Sequence, residues 1–302
     1  MTLEENQLKK HAYLITAYDN RYQLEQLLSL LNDERNDIYL QVDSKGSLRV
    51  DNLTLNKSSL FILPPVPIYW AAISFIRAEL NLFKAASAKR YHYYHFLSGS
   101  DLPLVNQDKI HAFLENMDLE YISFSPEDSL RAHWKAAYYH FFVESKLYRK
   151  YLFIRILSHL MIKFQILFGI DRSKKSNETF HSGSTWFTIT HSFAEYILAH
   201  QTWIEKTFLY GLACDEVFMQ TLIMKSPFKS KINHGNDGTT QNLRYIDWKR
   251  RDKNSPYTFK MSDYEELKEA SKHSLFARKF NRTTDQGLVD SIVDRIKNHG
   301  SL

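Results

Sequence analysis

A chain of 302 residues, 44% of them hydrophobic, with a formal charge of +5, can fill one sizeable core and excludes a short, weakly packed scaffold. Nine glycines and seven prolines are too few for a disordered chain or an array of tight turns, and a single cysteine, Cys214, excludes an internal disulfide and suits a reducing cytoplasm. No secretory leader is expected ahead of the first apolar run; the positive charge admits phosphate groups or an anionic membrane surface as partners, and no nucleic-acid-binding motif accompanies it.

The first 125 residues alternate between strand and helix patterns. AYLITAY (12–18) reads as a buried strand, and NRYQLEQLLSLLNDE (20–34) as a helix with Leu24, Leu27, Leu28 and Leu31 on one face. DIYLQVD (37–43) is a second strand ending in an acid, and SLFIL (59–63) a third. A long helix is expected over 68–86, a fourth strand over 91–99 and a fifth over 120–125. This alternation predicts a mostly parallel sheet with helices on both faces and a ligand site beyond the carboxyl ends of the strands. Further on, 129–170 reads as largely helical, 183–190 as a strand leading into a helix to about 200, and 243–248 as a strand. Two closing helices fall at about 262–273 and 285–298.

Several short motifs admit both a chemical and a merely structural use. In GLACDEVFMQTL (211–222), Asp215 suits a helix N-cap, while Glu216 suits a general base at a helix end. QVDSKG (41–46) puts Asp43 at a strand end, where it either starts a turn or meets a nucleoside hydroxyl. FLSGSDLPL (96–104) is a strand-to-helix connection whose Asp101 can cap the turn or reach a ligand. No D-x-D pair is present, since Lys45 stands where the second acid would follow Asp43, so a divalent metal site is not expected. Cationic side chains would then have to neutralise any departing diphosphate, and FARKF (276–280) and WKRRDK (248–253) supply them, unless they are simply a solvated basic face. His92 and His95, three apart on a strand, are expected on opposite sides and carry no ligand role.

KLYRKYLFIRILSHLMIKFQILFGIDRSKK (146–175) is apolar but interrupted by Arg155, His159 and Lys163, four apart and therefore on one helical stripe. Charges so central argue against a spanning helix, while the basic flanks suit an anionic lipid surface; the alternative is an amphipathic helix packed on the domain.

Taken in order, QVDSKG, IYWAAISFIRAEL, FLSGSDLPL, GSTWFTIT, CDEVFMQTL, RYIDW and FARKF resemble the core-2/I-branching β-1,6-N-acetylglucosaminyltransferase family, glycosyltransferase family 14, over nearly the whole chain. The resemblance implies an α/β, GT-A-like fold in one domain, 1–302, with a nucleotide-sugar half at 1–115 and an acceptor-binding and catalytic half at 116–302. The latter holds the basic insertion at about 139–175. It implies metal-independent, inverting transfer with no cofactor beyond a nucleotide-sugar co-substrate, UDP-GlcNAc being the expected donor. Carried over by position, Glu216 is the catalytic base, Asp43 and Trp70 meet the nucleotide, and Lys279 holds the diphosphate. Trp248 and Glu120 fall on the acceptor side, and Asp101, Ser184 and Asp215 shape the site. The place of a second diphosphate cation holds Tyr257, with Lys260 or Arg250 as substitutes. A single cysteine and no anchor make the chain resemble a bacterial, cytoplasmic member, working at the inner face of the membrane on a glycan acceptor such as a lipid-linked oligosaccharide for capsule or exopolysaccharide. A non-catalytic sugar-nucleotide binder and a membrane-associated scaffold are the rival readings.

Overall fold

The computed structural model describes residues 10–125, 128–176, 178–235, 237–251 and 255–302. Four parallel strands form the main sheet: β1 (His11–Ala17), β2 (Asn36–Asp43), β3 (Ser59–Val66) and β4 (Tyr93–Ser98). The short β6 (Thr188–Thr190) closes it antiparallel to β4, giving the order β3-β2-β1-β4-β6. A second sheet, β5-β8-β7, joins β5 (Asp101–Pro103), β8 (Phe276–Arg278) and β7 (Arg244–Ile246). Every residue of β1 and β2 is buried, as central parallel strands require. β3 is an outer strand, which is why it tolerates Pro64 and Pro65.

Side-chain alternation divides the core between the two sheet faces. Tyr13, Ile15 and Leu40 face one layer, with α1 (Arg21–Leu31) and the final helix α12 (Gln286–His299). Ala12, Leu14 and Phe96 face the other, against α2 (Ile73–Ala86), α8 (His191–Ala199), α9 (Gln201–Phe208) and α10 (Phe218–Met224). The remaining helices are α3 (Gln107–Leu114), α4 (Asp128–Ala137), α5 (Lys146–Lys150), α6 (Leu152–Leu167), α7 (Arg172–Ser176) and α11 (Tyr264–Ala270). Buried Arg244 ties the sheets together, donating to Thr188 Oγ1 at 2.7 Å and to the Phe187 carbonyl at 2.5 Å. Burial pulls its guanidinium down to about 9.

Four expectations from sequence change. The helix expected from 68 begins at Ile73, because Ala71 takes a left-handed φ of 63° and its carbonyl accepts the Ala213 N–H at 2.7 Å. Residues 120–125 make isolated bridges from Glu120, Tyr121 and Phe124 rather than a fifth strand. Of 183–190 only the last three residues join the sheet; the preceding five form a strap. His92 precedes β4, so its ring and that of His95 both flank His11, at 5.9 and 5.1 Å, instead of facing apart.

Candidate active site

The parallel strands aim their carboxyl ends at one edge, which places Asp43, the 67–72 loop and the Ser98–Asp101 turn together. Asp43 is buried, and its Oδ1 accepts the N–H of Lys45 at 3.0 Å and of Ile68 at 3.1 Å. The Lys45 ammonium closes on Oδ2 at 2.6 Å and lies 4.8 Å from the centre of the Tyr69 ring. Asp43 therefore fixes the loop carrying Trp70, which is 49% exposed. Gly46 has to be glycine: a Cβ there would stand 1.9 Å from the Tyr18 carbonyl oxygen.

Glu216 ends a 3-10 turn, Cys214–Glu216, entered through Ala213 in the left-handed region. The Ala213 N–H bonded to Ala71 ties this turn to the Trp70 loop. Its carboxylate Oε2 takes a short hydrogen bond from Lys135 Nζ on α4, while the side chain stays 35% exposed. Lys135 is itself almost buried, so the pair fixes the rotamer of Glu216 and leaves the carboxylate a route to solvent. Asp215 does not cap the following helix, contrary to expectation: α10 has Val217 at its N-cap position and no side-chain cap. Asp215 turns inward, accepts from Thr185 Oγ1 at 3.0 Å, and is pushed up to about 7 by burial and by the neighbouring Glu216. Its position inside a 3-10 turn, ahead of the α-helix, explains the difference. Cys214 is buried, with its thiol raised by desolvation, and serves packing.

The 183–187 strap joins this acid turn to the basic strand. The Gly183 N–H donates to the Glu216 carbonyl at 2.9 Å, and Gln220 Nε2 donates to the Ser123 and Ser184 carbonyls at 3.1 and 2.8 Å. Ser184 Oγ accepts the Trp186 N–H at 3.2 Å, and the Arg278 guanidinium lies 4.0 Å over the Trp186 ring. Asp101 holds Arg278 at 2.6 Å and accepts the Ser98 N–H at 2.7 Å. Asp101 and Ser184 thus brace the Ser98–Asp101 turn and the strap, and Lys279 follows Arg278 with its Nζ 3.3 Å from Ser255 Oγ. A polar cavity of about 540 Å³ opens at the carboxyl end of β1, lined by Asp19, Asn20, Asn281, Arg282, Thr283 and Gln286.

Two assignments do not survive this geometry. Glu120 is fully buried, its carboxylate accepting Thr190 N–H at 2.9 Å and Thr190 Oγ1 at 2.6 Å at the start of α8. Burial raises it to about 7; it is a structural pin, with no surface for an acceptor. Arg250 stacks 4.3 Å over Tyr257 and is paired with Asp247, with Asp263 at 2.8 Å and with Glu266 at 2.6 Å. Three carboxylates already compensate its charge, so it is a poor diphosphate ligand. Lys260 and Trp248 are exposed. Among the described residues no group of three or more His, Cys, Asp or Glu could hold a metal. Sequence reasoning missed Lys135, Thr185 and Arg278; Thr185, inside GSTWFTIT, and Arg278, inside FARKF, lay in family motifs, and Lys135 in none.

A mostly parallel sheet flanked by helices, with acidic and basic side chains gathered beyond its carboxyl ends, is the arrangement of a GT-A-like fold. Residues 11–271 match the family model of the Core-2/I-Branching enzyme, and the chain belongs to that family. It is similar to Xylosyltransferase 2 of Rattus norvegicus, 25% identical over 94% of this chain and 33% of the relative. Xylosyltransferase 2 of Homo sapiens is 24% identical over 92% of this chain and 33% of its own length. Xylosyltransferase 1 of Homo sapiens is 22% identical over 89% of this chain and 28% of its own length. The chain thus spans about a third of the length of these curated relatives.

Proposed function

We propose that the protein transfers a sugar from a nucleotide diphosphate donor to a glycan hydroxyl by a single inverting displacement, with Glu216 as general base. The observation that carries this reading is the turn holding Glu216, partly open to solvent, fixed by Lys135 and strapped to the strand that ends at Arg278, just before Lys279. The acceptor oxygen attacks the anomeric carbon as its proton passes to Glu216; the bond from that carbon to the diphosphate oxygen breaks, and the electron pair leaves with the nucleotide. Lys279 stabilises the charge that develops on the leaving diphosphate, in the role a metal otherwise fills. The second cation is Lys260, or Arg282 in the cavity at the end of β1, rather than the compensated Arg250.

Metal independence draws support from Lys45. Its ammonium already neutralises Asp43, the acid that a divalent ion would otherwise share. Asp43 and Trp70 receive the nucleoside, and exposed Trp248 offers a ring face to the acceptor. UDP-GlcNAc is the donor that the family resemblance favours. The names of the xylosyltransferase relatives favour UDP-xylose as a second reading. A lipid-linked oligosaccharide on a route to capsule or exopolysaccharide is the proposed acceptor.

Glu216→Gln should keep donor binding by calorimetry and lose about 10²–10⁴-fold in transfer. Transfer within threefold of wild type in a folded variant refutes the base assignment. Running UDP-GlcNAc and UDP-xylose in parallel, each with chelator, decides the donor. Turnover that disappears with chelator and returns with a divalent ion refutes the cationic mechanism.

A further inference from the structure

The insertion that carries α5, α6 and α7 is built inside out. Only Ser158, Ile162 and Gln165 of α6 are fully buried, at the i, i+4, i+7 spacing of one helical side, with Ile154 and Met161 half-buried beside them. Gln165 makes the anchoring contacts, accepting the Tyr139 N–H at 2.8 Å and donating to the Tyr139 carbonyl at 3.0 Å. The large apolar side chains point the other way: Leu152 is 66% exposed, Phe153 62%, Leu167 79% and Phe168 62%. Ile156, Leu160 and Phe164 add to the same open surface. Nearby Phe141 and Tyr210, with rings 5.5 Å apart, are also open. A water-facing helix of a globular domain shows the reverse pattern.

Charge identifies the medium that covers this surface. Residues 145–170 contain five Lys or Arg and no Asp or Glu. Arg155, His159 and Lys163 form a stripe between apolar residues, around a shallow groove of about 260 Å³ with Leu152, Ile156 and Leu160. A second copy of this chain would bring like charges against like across the interface, with no acid on the patch to pair them. A bilayer surface accepts both features, since apolar side chains enter the acyl boundary and the cationic stems reach up to lipid phosphates. No helix among the described residues is long and apolar enough to cross a membrane. At 16 residues α6 would be about 24 Å long, short of the roughly 30 Å core.

We propose that α6, with Lys146 and Lys150 of α5 and the basic residues of its own stripe, docks the protein in the plane of an anionic lipid bilayer surface. This inference rests on the insertion alone and does not depend on the sugar donor. α4, which carries Lys135 to Glu216, packs on α7 at the far end of the same insertion, and Arg172 of α7 donates to the Ala136 carbonyl at 3.3 Å. Docking there brings the acid turn within one layer of helices of the lipid.

The test is co-sedimentation of the full chain with phosphatidylcholine vesicles, with and without roughly one-third phosphatidylglycerol. The expected result is binding to the anionic vesicles, at least tenfold weaker on neutral ones and reversed by high salt. Arg155→Glu with Lys163→Glu should cut anionic binding by tenfold or more, at about fivefold per cation removed. Phe153→Ser with Leu167→Ser should cut it on both vesicle types while the circular dichroism melt stays in place. Equal partition of wild type and both variants overturns the proposal. So does a lipid-free dimer by light scattering that the serine variant dissociates, with no vesicle binding, because the covering surface is then a second copy.

Discussion

The turn at Cys214–Glu216 and the helix Leu152–Leu167 belong to the same half of the chain and follow opposite packing rules. In the turn every neighbour is specified: Gly183 N–H on the Glu216 carbonyl, Thr185 on Asp215, Lys135 on Glu216, and Ala71 holding Ala213. In the helix two glutamine hydrogen bonds and one narrow face centred on Ser158, Ile162 and Gln165 hold sixteen residues, and most of the large apolar side chains are exposed. The contrast teaches that hydrophobic content alone does not locate the core. What separates the regions is where the side chains point: polar groups inward to named partners around the turn, apolar carbon outward to solvent along the helix.

The largest effect that sharpens this contrast is expected at Gly183. A Cβ there would meet the Ser123 carbonyl oxygen at 1.8 Å and Gln220 Nε2 at 2.7 Å, both fixed parts of the strap. Gly183→Ala should cost about 2–4 kcal/mol in urea unfolding; an unchanged midpoint would show that the strap yields freely. Next comes Asp215, whose folded-state carboxyl is pushed up to about 7 by burial. The folded state holds that proton longer than the unfolded chain does, so Asp215's contribution is best below about pH 4 and worsens as pH rises to about 7. Asp215→Asn cannot ionise and should be the more stable form above neutrality, by about 2–4 kcal/mol relative to its difference from wild type at pH 4. Parallel wild-type and variant stabilities across that range would move the charge burden to Glu79 or Glu120, also raised by burial. The smallest effect belongs to the inverted helix, where Leu167→Ser should change unfolding free energy by no more than about 0.5 kcal/mol. A loss of 2 kcal/mol or more would mean that the side chain is packed.

The sheet was legible because buried parallel strands write continuous apolar runs, as in AYLITAY and DIYLQVD, between helices of clear period. Family motifs made the carboxyl-edge acids legible as candidates. What stayed hidden was set by long-range contacts. IYWAA has ordinary helical character, yet Ala71 is pulled into a left-handed turn by a residue far along the chain. Glu120 was placed on the acceptor side by family position, and nothing in its own neighbourhood announces Thr190. Lys135 meets Glu216 across 81 residues, and no local pattern encodes that pairing. Arg250 sits in a basic run, but its partners Asp263 and Glu266 come from a separate segment.

The outer strand β3 also bears on how the protein behaves when crowded. Successive strand residues turn their N–H groups to opposite sides, so with Pro64 and Pro65 adjacent one outward donor is missing from that border. The other border, β6, is only three residues long. The border most open to pairing with a stranger chain is therefore the first half of β3, where Phe61 and Ile62 are exposed, and the prolines cut that template short.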